Sequence, residues 1–300
     1  MPVNSKHILS QGSVIAAIGR SAFEGILQQV TKKTPEGLET PGPEIRKTLS
    51  PRPADLVKDY VRHVGGDPRN YSKHLPAHLF PQWGFGPATR TLSGIPYPLL
   101  KVMNGGCRIE AVAPLPSDEP LEVSARLESI DDNGSRAVLH QRVVTGTKQV
   151  PEAVIAHMYP IVPLGGPKDG APRKSKDKPR VPHDAKEVQF WRIGANAGLD
   201  FAKLTGDFNP IHWVPAYAKA SGFRNTILHG FSTLARAWEG LNQGLFAGSP
   251  LVRTFDAKFT RPLVLPAKVG LYVKGNEVYV GDAPGGPAYM IATFEADSIA

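Results

Sequence analysis

The sequence predicts an α+β protein made of two related units, each with a helix packed on an antiparallel sheet. One observation is a strong hairpin, because residues 121–130 and 135–145 are strand-like and are joined by the turn sequence DNG at 132–134. The other is the similarity of residues 107–123 (CRIEAVAPLPSDEPLEV) to residues 257–273 (AKFTRPLVLPAKVGLYV), since each has a strand, a proline-marked loop and a second strand. Such internal similarity favours duplication of one unit.

The first unit begins with helical and extended segments. Apolar residues at helical spacing predict a helix over residues 10–29, and the proline-rich stretch 31–53 predicts an extended crossing. A second helix is expected over residues 55–63, closed by Gly65. Residues 76–98 mix aromatic residues with prolines and glycines, which predicts loop and short helix. This segment is either a satellite core or an apolar wall for a ligand, and both interpretations stay open.

The predicted domain organisation follows from composition. A degenerate N-terminal unit with a helical and extended leader occupies residues 1–162, a basic Pro/Gly linker residues 163–180, and a C-terminal unit residues 181–300. Within the C-terminal unit, an apolar stripe predicts a helix over residues 231–245. This unit is expected to consist of that helix followed by a sheet. Its strand-like segments are residues 251–259, 268–274, 277–280 and 288–297.

Composition excludes several classes of protein. The chain is 41% hydrophobic and 21% charged, an ordinary globular balance, and its one cysteine, Cys107, excludes a disulfide framework and any multi-cysteine zinc site. A net charge of +8 indicates an anionic partner. Nucleic acid is disfavoured because the chain has no basic helix, zinc-finger spacing or aromatic RNP-type strand, whereas a phosphate-bearing substrate remains compatible. No apolar run approaches the roughly 18 residues of a membrane span.

The N-terminal leader allows two interpretations. The first acidic residue is Glu24, a bias shared with organellar presequences, but an amphipathic docking helix explains the same residues. We favour the docking helix and a cytoplasmic protein.

The stretch from Phe201 to Gly230 carries the chemistry. Asn caps helices and proline suits the first helical position, so a turn is expected to begin at Asn209-Pro210. Asp207 then lies in the incoming loop and His212 in the first turn. Pro215 ends that turn and starts a second short helix that runs to Gly222, which leaves His212 at a break between helices.

A carboxylate and an imidazole that face one water molecule can divide proton removal and proton delivery between them. Gly230, where the long helix begins, presents a backbone N–H that suits an enolate or oxyanion. Water, two proton carriers and an oxyanion donor together describe hydration of a double bond conjugated to a carbonyl.

The sequence FAKLTGDFNPIHWVPAYA at residues 201–218 resembles the signature of the MaoC-like (R)-specific enoyl-CoA hydratases and 3-hydroxyacyl-thioester dehydratases, and ILHG at residues 227–230 is similar to a second element of that family. The match covers the second half well and the first half only loosely. The resemblance implies a double hot dog fold whose first unit lacks the catalytic loop.

By the same resemblance, Asp207 and His212 are the catalytic pair that holds the water, Gly230 is the oxyanion donor, and Asn209 supports the pair. One departure is Val214, where many members carry Asp, so the helix at Pro215 lacks an acidic cap. The implied reaction is reversible hydration of trans-2-enoyl thioesters of CoA or a carrier protein to (3R)-hydroxyacyl thioesters. A homodimer is expected, with no cofactor.

Further residues are assigned to substrate or to structure. Phe231, Trp83 and Arg261 are predicted to bind substrate, with Trp83 in the wall for the acyl chain. Candidates for the phosphates of CoA are Lys203, Arg224, Arg253 and Arg261. His229 is predicted to be structural, because its spacing from Asp207 and His212 fits no metal motif, and no metal site is expected.

Two alternatives to the hydratase stay open. One is a non-catalytic acyl-thioester-binding protein on the same fold, and the other is a thioesterase. A serine hydrolase is disfavoured because the chain contains no G-x-S-x-G sequence.

Overall fold

The computed structural model describes residues 2–31, 39–165 and 178–298. Its helices are α1 (Gly12–Thr31), α2 (Ala54–Val64), α3 (Pro81–Arg90), α4 (Ala197–Thr205), α5 (Pro215–Ala220) and α6 (Gly230–Leu245). Its strands are β1 (Ile45–Leu49), β2 (His74–Leu75), β3 (Met103–Ala111), β4 (Leu115–Pro116), β5 (Leu121–Asp132), β6 (Arg136–Gly146), β7 (Val154–Pro163), β8 (Lys186–Ile193), β9 (Val252–Phe259), β10 (Ala267–Lys274), β11 (Glu277–Gly281) and β12 (Ala288–Ala296).

One ten-stranded sheet runs through the molecule in the order β1-β5-β6-β7-β3-β9-β12-β11-β10-β8. Its strand pairs are antiparallel, and the predicted hairpin is confirmed as β5 and β6, with β7 pairing on the other side of β6. The two halves of the chain meet at β3 and β9, where Cys107 lies opposite Ala257. These two residues open the similar segments recognised in the sequence. The order of strands on one side of this junction mirrors the order on the other, as duplication of one unit predicts.

Helices α3 and α6 pack on this sheet and share one core. The predicted apolar stripe of α6 is confirmed, because Leu234, Trp238 and Leu241 are all buried. Phe80, just before α3, meets Phe231 of α6 edge to face at 5.4 Å between ring centroids. Burial of such side chains, at roughly 25 cal/mol per Å² of apolar area, provides the main driving force for the fold. The predicted α+β class is confirmed.

The order of elements in the second half differs from the prediction. A strand, β8, and a helix, α4, precede the long helix, so the half does not read simply as helix and then sheet. Strand β8 lies at the edge of the sheet, its Phe190 is exposed, and most of its other residues are polar or half-buried. Because apolar and polar residues do not alternate clearly along it, the sequence pattern did not reveal this strand. Residues 166–177 of the proposed linker lie outside the described residues, and the domain boundaries stay a prediction.

The leader forms the predicted helix α1, which a 3-10 helix at Ser5–Gln11 precedes. His7, Gln11 and Val14 are buried, so this segment is docked on the rest of the protein, as the favoured interpretation predicts. In the ranges that the structure describes, no helix is both long and apolar enough to cross a membrane.

Candidate active site

A broken helix places Asp207 and His212, as predicted. α4 ends at Gly206, which adopts a left-handed conformation with φ of 84°. The Asn209 side chain then accepts a hydrogen bond from the N–H of Ile211 at 3.2 Å and caps a 3-10 helix at Pro210–His212. α5 starts at Pro215 without a side-chain cap. Proline and the capping amide therefore fix the turn that carries His212.

The imidazole of His212 is held in one orientation. Its Nδ1 donates to the backbone oxygen of Ile227 at 2.8 Å, because a carbonyl oxygen only accepts. The free nitrogen of the neutral ring is therefore Nε2. Burial lowers the pKa of His212, and the nearby Asp207 carboxylate opposes that shift only in part. The ring is consequently neutral near pH 7 and can accept a proton.

The carboxylate of Asp207 lies close to this imidazole. Asp207 and His212 each present a polar atom within 4.8 Å of the other, so one water molecule can contact both. An Asp207 oxygen also accepts from the N–H of Asn209 at 3.3 Å, and about a fifth of the Asp207 side chain is exposed. This carboxylate therefore keeps access to the cavity beside it.

His229 contacts both members of the pair. Its ring stacks on that of His212, with centroids 3.6 Å apart and planes inclined by 24°. Its Nε2 donates to the backbone oxygen of Asp207 at 2.9 Å. Burial and the neighbouring His212 hold the pKa of His229 well below its usual value, so the ring remains neutral. Sequence reasoning treated His229 as a structural residue and missed these contacts, although its place directly before Gly230 was a signal.

Asp207, His212 and His229 also form a group that is compact enough to hold a metal ion. Their hydrogen bonds are compatible with that use, because histidines that bind a metal also direct their second nitrogen to a backbone carbonyl. Two rings stacked face to face, however, direct their in-plane lone pairs side by side, whereas metal ligands converge on one point. The arrangement fits a hydrogen-bonded water better than an ion.

Gly230 is the first residue of α6, where a backbone N–H has no acceptor within the helix. A Cβ at this position would lie 2.8 Å from the ring of Phe259, so only glycine fits. The partial positive charge of the helix start adds to the N–H as an anion-stabilising feature.

A cavity of about 500 Å³ joins these groups. Asp207, Asn209, His212, Gly230 and Phe231 all line it, so the structure brings together most of the predicted site. Its apolar wall comes from both halves of the chain: Phe85, Val102, Met103, Met158, Pro160, Ile161, Phe223, Leu228, Phe259 and Leu263. Arg261 and Tyr289 add polar groups to the same cavity.

The prediction for Trp83 is wrong. Trp83 is almost fully buried in the core, and its indole N–H donates to the hydroxyl of Thr145 at 3.0 Å. Phe85 of the same helix lines the cavity instead. Residues two apart on a helix point in different directions, so Trp83 and Phe85 cannot share a face.

Two of the basic candidates for binding phosphates are also engaged elsewhere. Lys203 donates to the backbone oxygen of Val3 at 3.0 Å, and Arg253 pairs with Asp297. Arg261 does line the cavity: its Nη2 donates to the backbone oxygen of Lys178 at 3.3 Å, whereas its buried Nε has no hydrogen-bond partner within the described residues. It is therefore the candidate best placed to meet an anionic group.

Residues 180–284 match the family model of the MaoC like domain. This half is a MaoC-like domain. Among curated relatives, "Enoyl-CoA hydratase ChsH3" of Mycobacterium tuberculosis is 27% identical over 176 residues, 58% of this chain and 60% of that protein. "3-hydroxyacyl-thioester dehydratase X" of the same organism is 34% identical over 110 residues, 37% of this chain and 36% of that protein. The chain thus spans less than two thirds of the length of these relatives.

Comparison with solved structures identifies the fold of the chain as a whole. The crystal structure of HtdX of Mycobacterium tuberculosis superposes with a TM-score of 0.68 at 19% identity, over 85% of this chain and all of that one. A second Mycobacterium tuberculosis protein, described as having a double hotdog fold, superposes with a TM-score of 0.57 at 13% identity, over 86% of this chain and 96% of that one. The fold is therefore a double hot dog, as the resemblance implied.

Proposed function

We propose that this protein is a hydro-lyase that reversibly hydrates trans-2-enoyl thioesters to (3R)-hydroxyacyl thioesters. The observation that carries the proposal is that Asp207, His212 and the N-terminus of α6 at Gly230 meet on one largely apolar cavity. The similarity to proteins named as an enoyl-CoA hydratase and a 3-hydroxyacyl-thioester dehydratase supports the same reaction class.

In the proposed reaction, Asp207 and His212 hold one water molecule. The water oxygen forms a bond to Cβ as one member of the pair takes a water proton, and the π electrons move toward the thioester carbonyl. A proton delivered to Cα then completes the addition, so water is added across the double bond with no net change in protons. The neutral His212, with Nδ1 bonded to Ile227, supports Nε2 as one proton carrier.

The thioester oxygen gains negative charge as the water attacks. We place this oxygen at the N–H of Gly230, where the helix start stabilises an anion. Removal of one such donor in other enzymes lowers the rate about 10²–10³-fold, which is large enough to matter here. Stacking of His229 on His212 and its hydrogen bond to Asp207 hold both members of the pair in position.

The acyl chain fits the apolar wall of the cavity. Phe85, Met158 and Ile161 come from the first half of the chain, so the unit without a catalytic loop contributes to the room for the substrate. Phe231 lines the same cavity. Arg261 and Tyr289 give the cavity a polar side that suits a phosphate-bearing carrier, either CoA or an acyl carrier protein.

We further propose that the protein is a cytoplasmic homodimer that serves fatty acid metabolism. Light scattering of the purified protein tests the dimer, and a monomer across the micromolar range would overturn it. Fractionation of cells that express the full chain tests the location, and enrichment in an organelle would contradict it.

The reaction is tested with trans-2-enoyl-CoA substrates of increasing chain length. Loss of enoyl absorbance together with a (3R)-hydroxyacyl product is the expected result. Release of free CoA without hydroxyacyl product would instead identify a thioesterase. Binding of enoyl-CoA without turnover would identify an acyl-thioester-binding protein, and either result would refute the hydratase.

A further inference from the structure

The N-terminal leader reaches the backbone of α4, the helix that precedes the catalytic loop, through one buried amide. Gln11 is fully buried, although glutamine is usually a surface residue. Its side-chain nitrogen donates to the carbonyl oxygens of Lys203 at 3.1 Å and of Leu204 at 3.0 Å. Since carbonyl oxygens only accept, the amide nitrogen must be the group that faces them.

These two carbonyls belong to the last turn of α4. A helix leaves its last four carbonyls without partners inside the helix, and each must be satisfied when it is buried. The N–H of Gly206 satisfies the carbonyl of Ala202 at 2.8 Å, and Gln11 satisfies the next two. Asp207 follows only three residues after Leu204. The leader thus caps the helix from which the catalytic carboxylate emerges.

A second contact of the leader lies at Gly206. A Cβ on this glycine would lie 2.8 Å from Cβ of Val14 and 3.2 Å from Cβ of Gln11, so the leader packs directly on the residue before Asp207. Val14 is fully buried. The left-handed turn at Gly206 is therefore closed on one side by the leader.

The leader is also tied to the first half of the chain. Gln82 of α3 donates to the side-chain oxygen of Gln11 at 3.1 Å, and Arg52 donates to the side-chain oxygen of Gln82 at 3.2 Å. A continuous set of hydrogen bonds thus runs from the first unit through the leader to α4. Neither Gln11 nor Val14 lines the cavity, so these hydrogen bonds contact the backbone of α4 and not the substrate.

From these contacts we infer that Gln11 is a positioning residue for Asp207, and that the leader is a working part of the catalytic unit. The inference rests on the proposed hydration. Without the Gln11 amide, the half-buried carbonyl of Lys203 and the buried carbonyl of Leu204 lose their partner. The last turn of α4 then frays, because fraying exposes these carbonyls to water. The carboxylate then samples geometries in which it misses the water shared with His212. Turnover falls, whereas substrate affinity is kept because the cavity wall is unchanged.

The test replaces Gln11 with a residue of the same length that cannot donate, Gln11→Met. The expected result on crotonyl-CoA is a fall in kcat of about tenfold or more with KM nearly unchanged, since small misplacement of a catalytic group is costly. Hydrogen exchange should accelerate at the amides of residues 206–209. Gln11→Glu, which keeps the shape but replaces the donor with an acceptor, should lose at least as much activity.

The matched control is His7→Met. His7 lies in the same leader and is equally buried, but its ring bonds to Asp59 of α2 at 2.8 Å and not to α4. This variant should lower stability and leave kcat within about twofold, since it removes no partner of the α4 carbonyls that Gln11 satisfies. If Gln11→Met does not fold, Gln82→Met provides the second variant, because it removes the support of Gln11 and leaves the leader intact. It should give a smaller fall in kcat and the same pattern of exchange.

Wild-type kcat in the folded Gln11→Met protein, or unchanged exchange at residues 206–209, would overturn the inference. An equal loss of kcat in Gln11→Met and His7→Met would also overturn it, because the effect would then be general loosening of the leader. Failure of the proposed function is distinguishable, because the wild-type protein itself would then not hydrate crotonyl-CoA, whereas the exchange measurement needs no activity.

Discussion

The two halves of the molecule build the same local structure and use it differently. In the second half, β8 leads to α4, a left-handed glycine and a 3-10 helix capped by Asn209. In the first half, β1 leads to α2, a left-handed glycine at Gly65 and a 3-10 helix capped by Asp67 with Pro68 at its first position. The backbone of the loop has thus been kept in both halves, although the sequence comparison found no copy of it in the first.

What differs is the chemistry on that backbone. After the left-handed glycine comes Asp207 in one half and Gly66 in the other, and the third residue of the 3-10 helix is His212 in one and Asn70 in the other. Gly66 faces Glu239, whose carboxylate carbon would lie 2.6 Å from a Cβ at that position. The first loop is therefore filled by a side chain of α6, whereas the second opens on a cavity. The two loops thus share a backbone and differ in the side chains that it carries.

The largest expected difference between the loops is in activity. Asp207→Asn should lower kcat for hydration by about 10²–10⁴-fold, because the amide can no longer take up a proton. Asp67→Asn in the first loop should leave kcat unchanged, since Asn also caps a helix and the Asp67–Arg69 pair is exposed. Initial rates on crotonyl-CoA measure both, and a comparable loss in both variants would refute the distinction.

A glycine at the start of α6 can be compared with a glycine inside α3 in the same way. Gly230→Ala should lower kcat by roughly tenfold to a hundredfold, because its Cβ would displace Phe259 and shift the N–H of residue 230. Gly86→Ala in α3 meets nothing closer than the backbone oxygen of Ser13 at 3.6 Å and should leave kcat as it is. Steady-state kinetics of both variants test this, and full activity in Gly230→Ala would argue against an oxyanion site there.

The first-half loop, which the Glu239 side chain fills, should contribute to the stability of the folded protein. The carboxylate of Glu239 accepts from His78 at 2.8 Å and from Tyr71 at 2.5 Å, and it is fully buried. Glu239→Ala should lower the free energy of unfolding by about 1–3 kcal/mol or more, because buried donors lose their acceptor. The exposed Glu152→Ala should stay within about 0.5 kcal/mol of the wild type. Urea titrations decide this, and equal effects would contradict it.

A smaller effect on folding stability is expected when the pH is lowered. Burial lowers the pKa of His63 to about 3 and that of His229 well below 6.5, so the folded protein binds fewer protons than the unfolded chain below pH 6.5. Stability should therefore fall as pH drops from 6.5 toward about 3. The urea midpoint at pH 7.5 and at pH 5.5 measures this fall, and His63→Gln should reduce it. A midpoint independent of pH would contradict the burial of neutral histidines in both halves.

Much of this molecule can be predicted from local pattern. The cap at Asn209, the break at Pro215 and the long helix α6 follow from residue types whose preferences act within one or two turns, and all three are confirmed. The assignment of Trp83 was wrong because pattern does not specify which partner an aromatic side chain meets. Strand β8 was missed because this edge strand shows no clear alternation of apolar and polar residues.

The long-range contacts escaped prediction for a similar reason. Gln11 reaches α4 across more than 190 residues of sequence, and Lys203 is engaged by the leader backbone. Because Gln11 is a polar residue on an otherwise apolar helix face, the sequence could have indicated that it is buried. Its hydrogen-bond partner, however, depends on tertiary packing. The first-half loop was missed because its backbone is kept while its residues have changed.

We propose that Asp207 and His212 act together on one water molecule. The most direct measurement compares kcat on crotonyl-CoA for Asp207→Asn, His212→Gln and the double variant. Each single variant should lose about 10²–10⁴-fold, and the double variant should lose hardly more than the worse single variant, because groups that act as a unit are not additive. Wild-type activity in either single variant, or a double variant whose loss is the product of the two, would contradict the account.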